Sequence, residues 1–501
     1  MWPSAVAAQV RQRRYDQVTR VSTHPAGPSG QAGTVDVAPA PDLVIRNGPV
    51  EWVMSRVIRR LAWSPLSDPM VALSLSGAGL LLGMIVGATA PNAETVPVRL
   101  PLSFILPALG RSETNVVIAS ILLYTANILA CLGLAGMLWA HSQGWRPNPK
   151  HLLWASTAII AVMVCLTPVG SSDTGSYAAY GRIDSLGGNP YVTNPVAFLG
   201  VHSPYTHAVG TLWKKQPSVY GPFATVIQSF AAGIGGSHVW ATIWALMILN
   251  GAVFIGVGWL LLKTSKDPVR ATLFWTANPV LIQQLVSGGH LDTLVAAAAI
   301  CAIQVARRVS GHAGDVLIGV VIGLACGIKI NAALIALGLA WPLLRRHEWM
   351  RTARIALVAL ATVAVQYWPY GLVALKPIFG GLKLATLPSP WRAFELVGGL
   401  FGAEPAVSTV MGFLWPVAMV IVAWFVYRRI SSDQPGEVVA PFALTYAWIL
   451  VAPWVFAWYT GIAWVALTQV PRNRMTRWLT LVTVFLALCH SSGGQATPGI
   501  R

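Results

Sequence analysis

Apolar residues in this chain come in long blocks separated by short, often basic, segments. The blocks fall at 69–91, 114–140, 151–169, 238–263, 270–286, 290–307, 313–327, 330–345, 353–375, 406–427, 439–456, 459–470 and 476–490. A straight helix needs roughly 20 apolar residues to cross a bilayer. The long blocks therefore predict spans, and several shorter ones predict half-helices. A further block, 221–234, opens on Gly221-Pro222. No strong internal repeat runs through the blocks.

Charge placement decides which blocks cross, because cytoplasmic loops are enriched in Lys and Arg. With the basic N-terminal segment inside, the loop 170–220 falls outside. If 221–234 crossed, Lys263, Lys266 and Arg270 would also be outside. If it lies along the outer surface, all three fall inside, as do Arg307-Arg308, Arg345-Arg346, Arg351, Arg354, Arg428-Arg429 and the run from Arg472 to Arg477. The second arrangement satisfies the rule at every later loop. It predicts an all-α, polytopic transmembrane bundle of about 13 spans, with 221–234 as an extracytoplasmic juxtamembrane helix and the N-terminus cytoplasmic.

The bundle occupies 69–490, with outer loops at 170–235 and 376–405 and a tail at 491–501. Ahead of it, residues 1–50 are polar, carry Pro, Gly and Arg and have no apolar signal-peptide core, so they read as a disordered cytoplasmic tail. Residues 51–68 read as an interfacial amphipathic helix: Val53, Val57, Ile58 and Leu61 share a face opposed to Arg56, Arg59 and Arg60.

Composition agrees with the blocks. Of 501 residues, 55% are hydrophobic and 10% charged, against about 25% charged in a soluble domain. The net charge of +17 does not point to nucleic acid, because the cations lie between apolar runs rather than in one stripe. Membrane lipids with anionic headgroups are the expected electrostatic partner. Cys131, Cys165, Cys301, Cys326 and Cys489 each sit within apolar sequence, without metal-ligand spacing, and are expected to be small buried hydrophobes.

Candidate chemistry gathers in the outer segments. Asp173 follows the third block, in Ser171-Ser172-Asp173-Thr174. A carboxylate at a membrane rim can serve as a general base, since partial burial moves carboxyl groups toward the working range. The same four residues can instead cap a helix over 174–185. Asp184 lies further into the loop and is expected to be solvated. The turn Gly288-Gly289-His290-Leu291-Asp292 can assist a base, bind a sugar hydroxyl or hold a metal, or it can simply join two helices with Asp292 as cap. Gln283 and Gln284, costly in lipid, are expected to face the interior. Lys329, between two short blocks, must snorkel, pair or meet an anion. Lys214 and Lys215, with Arg182, can neutralise a lipid phosphate or act as ordinary loop cations. The 22 Trp include many interfacial belt positions; Trp454, Trp458 and Tyr459, at an outer turn, can also stack on a sugar ring.

These residues carry a resemblance. The chain resembles the actinobacterial polyprenol-phosphate-mannose-dependent alpha-1,6-mannosyltransferases, membrane glycosyltransferases of GT-C type, over roughly residues 70–490. Four matches occur in order: Asp173 to Arg182 with Asn189-Pro190-Tyr191; Tyr220-Gly221-Pro222 opening an outer helix; Asn278-Pro279 leading to Gly288-Gly289-His290-Leu291-Asp292; and the turn Gly327-Ile328-Lys329. Leu291 stands where the family more often has Asn. The resemblance implies a GT-C architecture, an extracytoplasmic active site, polyprenyl-phosphate mannose as donor and a growing alpha-1,6-mannan of lipomannan type as acceptor. On it rests an inverting transfer with Asp173 as base and Arg182, Lys329 and Lys214 on the donor phosphate. Tyr177, Asn189, Tyr191, Tyr220, His290, Asp292 and Tyr459 would line the sugar and acceptor subsites. No cofactor is implied beyond the lipid-linked donor, and a divalent metal is compatible but not required. A relative using another lipid-linked sugar, such as arabinofuranose, and a polytopic lipid or sugar transporter are the alternatives. The spans are poor in Asp and Glu, which weighs against the transporter.

Overall fold

A computed structural model of the chain describes residues 65–377, 385–430 and 434–489. The expectations for the tail 1–50, for the apolar face from Val53 to Leu61 and for the tail 491–501 lie outside the described residues.

The described residues form helices and turns. Among them there is no strand, only an isolated antiparallel bridge between Thr95 and Val169. The first half holds α1 Pro69–Ala88, α2 Glu113–Ser142, α3 Pro149–Met163, α4 Asp173–Ser185, α5 Pro195–Leu199, α6 Pro204–Ala208, α7 Pro222–Gly235 and α8 Val239–Thr264. The second holds α9 Pro268–Phe274, α10 Pro279–Leu281, α11 Asp292–Arg308, α12 Gly311–Cys326, α13 Ala333–Arg345 and α14 Trp349–Tyr367, then α15 Pro390–Leu400, α16 Glu404–Arg429, α17 Gly436–Val451, α18 Thr460–Leu467 and α19 Met475–Cys489.

A recurring dipeptide starts many of these helices. Asp68-Pro69, Asn148-Pro149, Asn194-Pro195, Asp267-Pro268, Asn278-Pro279 and Ser389-Pro390 each put a short polar side chain at the N-cap, where it accepts a first-turn amide, and proline at the first helical position. Proline is suited there because its missing N–H would have had no partner. The last of these dipeptides starts α15, a helix inside the segment 376–405 that hydropathy alone reads as loop.

Every apolar block contains helix. Among the described residues four helices are long and apolar enough to cross a membrane by themselves: α1, α2, α8 and the Ala406–Arg429 part of α16. The others are shorter, so about 13 spans is more than helix length alone supports. The block 270–286 is broken into α9, α10 and a π-helical turn, Ile282–Ser287, with Gln283 and Gln284 buried on it. Gln284 reaches Asn127 of α2, as expected of polar groups that cannot face lipid. α7 buries Ala224, Thr225, Gln228, Ala231 and Ala232 and exposes Val226, Phe230 and Ile234. Of the five cysteines expected to be buried, Cys131 is buried, Cys165, Cys301 and Cys326 are half-buried and Cys489 is exposed.

Short connections make neighbours antiparallel, and this distinguishes two ends. At one, α11 hands to α12 and α13 to α14. There Arg308 donates to the Thr264 carbonyl, Arg307 to Gln469, Arg351 and Arg354 to the fully buried Asp315, and Arg472 to Asp267. At the other end lie the starts of α11 and α13 and the ends of α12, α14 and α17.

α4 lies against α7, and Gly181 is what lets them meet: a Cβ there would overlap the Gln228 carbonyl of α7. Gly181→Ala should therefore destabilise the fold by about 1–3 kcal/mol through overpacking, read as a lowered unfolding temperature of the purified protein. An unchanged temperature would refute this packing.

Candidate active site

α4 begins at Asp173. The N-cap is Ser172, whose side chain makes no capping bond, and the Asp173 amide donates to Ser171 Oγ at 3.1 Å. One helical turn on, the Tyr177 hydroxyl donates to Asp173 Oδ2 at 3.3 Å. His290 Nδ1 lies 3.3 Å from the same oxygen. The Asp173 side chain is 20% exposed and the His290 side chain 1%, so Asp173 is the more open member of the pair. The Nδ1–Oδ2 approach lacks hydrogen-bond alignment and is a close electrostatic contact rather than a formed bond. Catalytic pairs often tighten only around the reacting groups.

His290 is held from three sides. Gly289 before it takes φ +66°, where a side chain would also strike Thr174 and Met247; glycine occupies that region at little cost. The His290 ring stacks on Trp458, with centroids 3.8 Å apart and planes 12° from parallel. Its carbonyl accepts from Asn250 Nδ2 at 2.6 Å, and Thr293 donates to Asn250 Oδ1 at 3.2 Å.

Two residues on, Asp292 opens α11 and takes the Lys329 ammonium on both oxygens, at 2.9 and 3.1 Å. The ammonium also sits 4.1 Å from the Tyr459 ring centroid. Burial alone would lower the Lys329 pKa, but Asp292 first, by charge and hydrogen bond, with Tyr459 and Asp173 behind it, carries it above the ordinary lysine value, so the group stays charged. Tyr177 and Tyr220 meet edge to face at 4.9 Å. Burial, and then the negative charge of Asp173, push both phenols well above their usual range, so both keep their protons. The cluster thus contains two carboxylates, one ammonium and one imidazole among aromatic walls. Among the described residues no three His, Cys, Asp or Glu side chains gather as metal ligands.

Several candidates take other partners. Tyr459, expected to meet a sugar, is buried, stacked on Trp448 at 5.0 Å and covered by Lys329. Asn189 accepts the Tyr191 amide, and the Tyr191 hydroxyl bonds Thr225 of α7 at 2.7 Å, so this pair pins the loop to α7. Asp184, expected to be solvated, accepts from the Tyr370 hydroxyl at 2.8 Å. Arg182 does not join Asp173. Nine residues of α4 separate them, roughly 13 Å of rise and half a turn out of phase, and Arg182 lies over the Tyr205 ring instead. Lys214 is half-buried in a turn tied to α5 through its carbonyl, and it makes no ion pair among the described residues. Trp458 stands out in the sequence as an outer-turn aromatic, but its stacking on His290 does not, and Asn250 escapes a reading by motif. Asn250 carries one usable signal, a buried polar residue inside a long apolar helix.

A family model described as alpha-(1->6)-mannopyranosyltransferase, N-terminal domain, matches residues 74–346, more than half of the chain. The chain belongs to the alpha-(1->6)-mannopyranosyltransferase family. It is with that family a membrane glycosyltransferase, and the matched region contains Asp173, His290, Asp292 and Lys329. Similar proteins include a probable alpha-(1->6)-mannopyranosyltransferase of Mycolicibacterium smegmatis, 26% identical over 72% of this chain and 61% of that protein. The alpha-(1->6)-mannopyranosyltransferase A of Mycobacterium tuberculosis is 24% identical over 86% of this chain and 85% of its own length. A further relative in Mycolicibacterium smegmatis, 25% identical over 60% of this chain and 76% of its own, is a polyprenol-phosphate-mannose-dependent alpha-(1-2)-phosphatidylinositol pentamannoside mannosyltransferase. No solved structure matches the chain.

In this family member the Lys329–Asp292 pair makes a stability prediction. Lys329→Met strands a carboxylate that is 5% exposed, which should cost about 3–5 kcal/mol. The double variant Asp292→Asn with Lys329→Met should recover part of that loss. Thermal unfolding of the two variants checks it, and equal losses would show that the pair contributes nothing.

Proposed function

We propose that this protein transfers mannose from polyprenyl-phosphate mannose to an alpha-1,6-linked mannan of lipomannan type, on the extracytoplasmic side, with inversion at the anomeric carbon. The observation that carries the proposal is the environment of Asp173. It is the more exposed of the cluster's two carboxylates, 20% against 5% for Asp292, with His290 and Tyr177 on one of its oxygens. The fully paired Asp292 is the poorer base, because protonating it would break its bond with Lys329.

In the step, the acceptor's primary hydroxyl oxygen attacks the anomeric carbon of mannose. The bond from that carbon to the phosphate oxygen breaks, and its electron pair leaves with the polyprenyl phosphate. Asp173 takes the hydroxyl proton. The leaving phosphate is a stable anion and needs no general acid, and one displacement without a sugar-enzyme intermediate inverts the centre. His290 steadies the carboxylate, and Lys329 supplies the positive charge that faces the departing phosphate. Arg182 and Lys214 would then serve the loop rather than the reacting phosphate. The lipid-linked donor is already activated, so the step needs no nucleotide or other cofactor. The arginines at the opposite end of the bundle favour the cytoplasm on that side. Dependence on a polyprenyl-phosphate donor is also what the name of the relative acting on phosphatidylinositol pentamannoside states of that protein.

The test is transfer of labelled mannose from polyprenyl-phosphate mannose to short alpha-1,6-mannan acceptors by full-length protein in nanodiscs. Asp173→Asn should lower kcat by about 10²–10⁴-fold with normal yield, and near-normal turnover would remove Asp173 as the base. His290→Gln should lower kcat by about 10- to 100-fold; an effect confined to donor KM would instead make His290 a binding residue.

A further inference from the structure

The segment after residue 385 is sewn to the aromatic turn behind the active site. The Thr386 amide donates to the Pro453 carbonyl at 2.9 Å. Its hydroxyl accepts from the Val455 amide at 3.2 Å and has its one proton to give to Val455 O at 3.0 Å or Pro453 O at 3.3 Å. Ser389 Oγ donates to the Ala452 carbonyl at 3.2 Å, and Trp391 Nε1 to the Val451 carbonyl at 2.6 Å. Val451 ends α17, so its carbonyl is one that a helix leaves without an internal partner. Thr386, Ser389, Ala452 and Val455 are all buried, and orphaned polar groups there would be costly.

From Val455 a run of stacked rings leads inward. Phe456 stacks on Trp458 at 4.5 Å and 9°. Trp458 stacks on His290 at 3.8 Å and 12°, and His290 meets Asp173 at 3.3 Å. Flat rings in contact transmit displacement, because close-packed interiors have little room to absorb it.

We infer that Thr386 is a positioning residue for the transfer reaction: its hydroxyl fixes the turn 453–459, and through Phe456 and Trp458 it sets the angle and distance of His290 from Asp173. This rests on the reading of Asp173 and His290 as the reacting pair. Thr386 touches no reacting atom, and it lies outside the region that the family model matches. The role belongs to the hydroxyl rather than to side-chain volume, so valine, of like shape, should abolish it and serine should keep it.

The experiment uses full-length protein in nanodiscs with polyprenyl-phosphate mannose and a short alpha-1,6-mannan acceptor. Thr386→Val should lower kcat by about 10- to 100-fold, leave donor KM within a factor of about two and displace the pH profile of kcat. Thr386→Ser should restore all three. Combined with His290→Gln, the valine variant should cause little further loss, because both act through one contact. Normal kcat in the valine variant, or losses that multiply in the double variant, would overturn the inference. So would a variant that merely unfolds at lower temperature while turning over normally. Should Thr386→Val fail to accumulate, Thr386→Ala, which also removes the hydroxyl, carries the same test. Asp173→Asn run in parallel separates the two readings. An active Asp173→Asn protein brings down the proposed function, whereas an inactive one beside a fully active Thr386→Val protein brings down only the positioning role.

Discussion

An ammonium cannot remain charged among packed helices unless an anion stands beside it, and at Lys329 that anion is Asp292. This requirement organises the site. Asp292 opens α11, and Lys329 lies three residues past α12. Holding them together holds the two turns in register at one end of the bundle. His290 sits two residues before Asp292, so the ion pair also fixes the height at which its ring emerges. The aromatic turn then closes over both: Tyr459 covers the ammonium and Trp458 covers the imidazole.

The two carboxylates of the cluster are chemically alike, and their surroundings divide their work. Asp292 is enclosed and neutralised by a full ion pair. Asp173 is partly open and meets a histidine and a phenol. Divergent surroundings of this kind give two like acids in one site different exposure and different partners. The phenols take part as walls and donors. Burial keeps Tyr177 protonated, and its proton is directed at Asp173.

The apolar blocks predicted where helices lie because hydropathy is a local property set by the solvent each residue prefers. They misled where that preference is divided. The block 270–286 reads as one run by average hydropathy, yet Asn278-Pro279 breaks it. The segment 376–405 looked like loop because its helix, α15, exposes Phe394, Val397 and Leu400 while burying Glu395 and Gly398. Ser389-Pro390 marked that helix in a way that hydropathy does not register. The out-of-phase spacing of Asp173 and Arg182 was equally legible, since helical period alone separates them.

Asp173, the turn from Gly288 to Asp292 and Lys329 could all be singled out along the chain, because acids, a histidine between glycines and a lone lysine are conspicuous among apolar residues. Their partners could not. His290 meets Asp173 across more than a hundred residues, Trp458 meets His290 from still further away, and Thr386 reaches Val455 from a separate segment. An isolated residue carries its own charge and volume but no record of which distant surface it will pack against. Only once the helices had closed on one another was it decided that Lys329 would pair rather than stand free, that Tyr459 would lie against its ammonium, and that Asp173 would be left partly open.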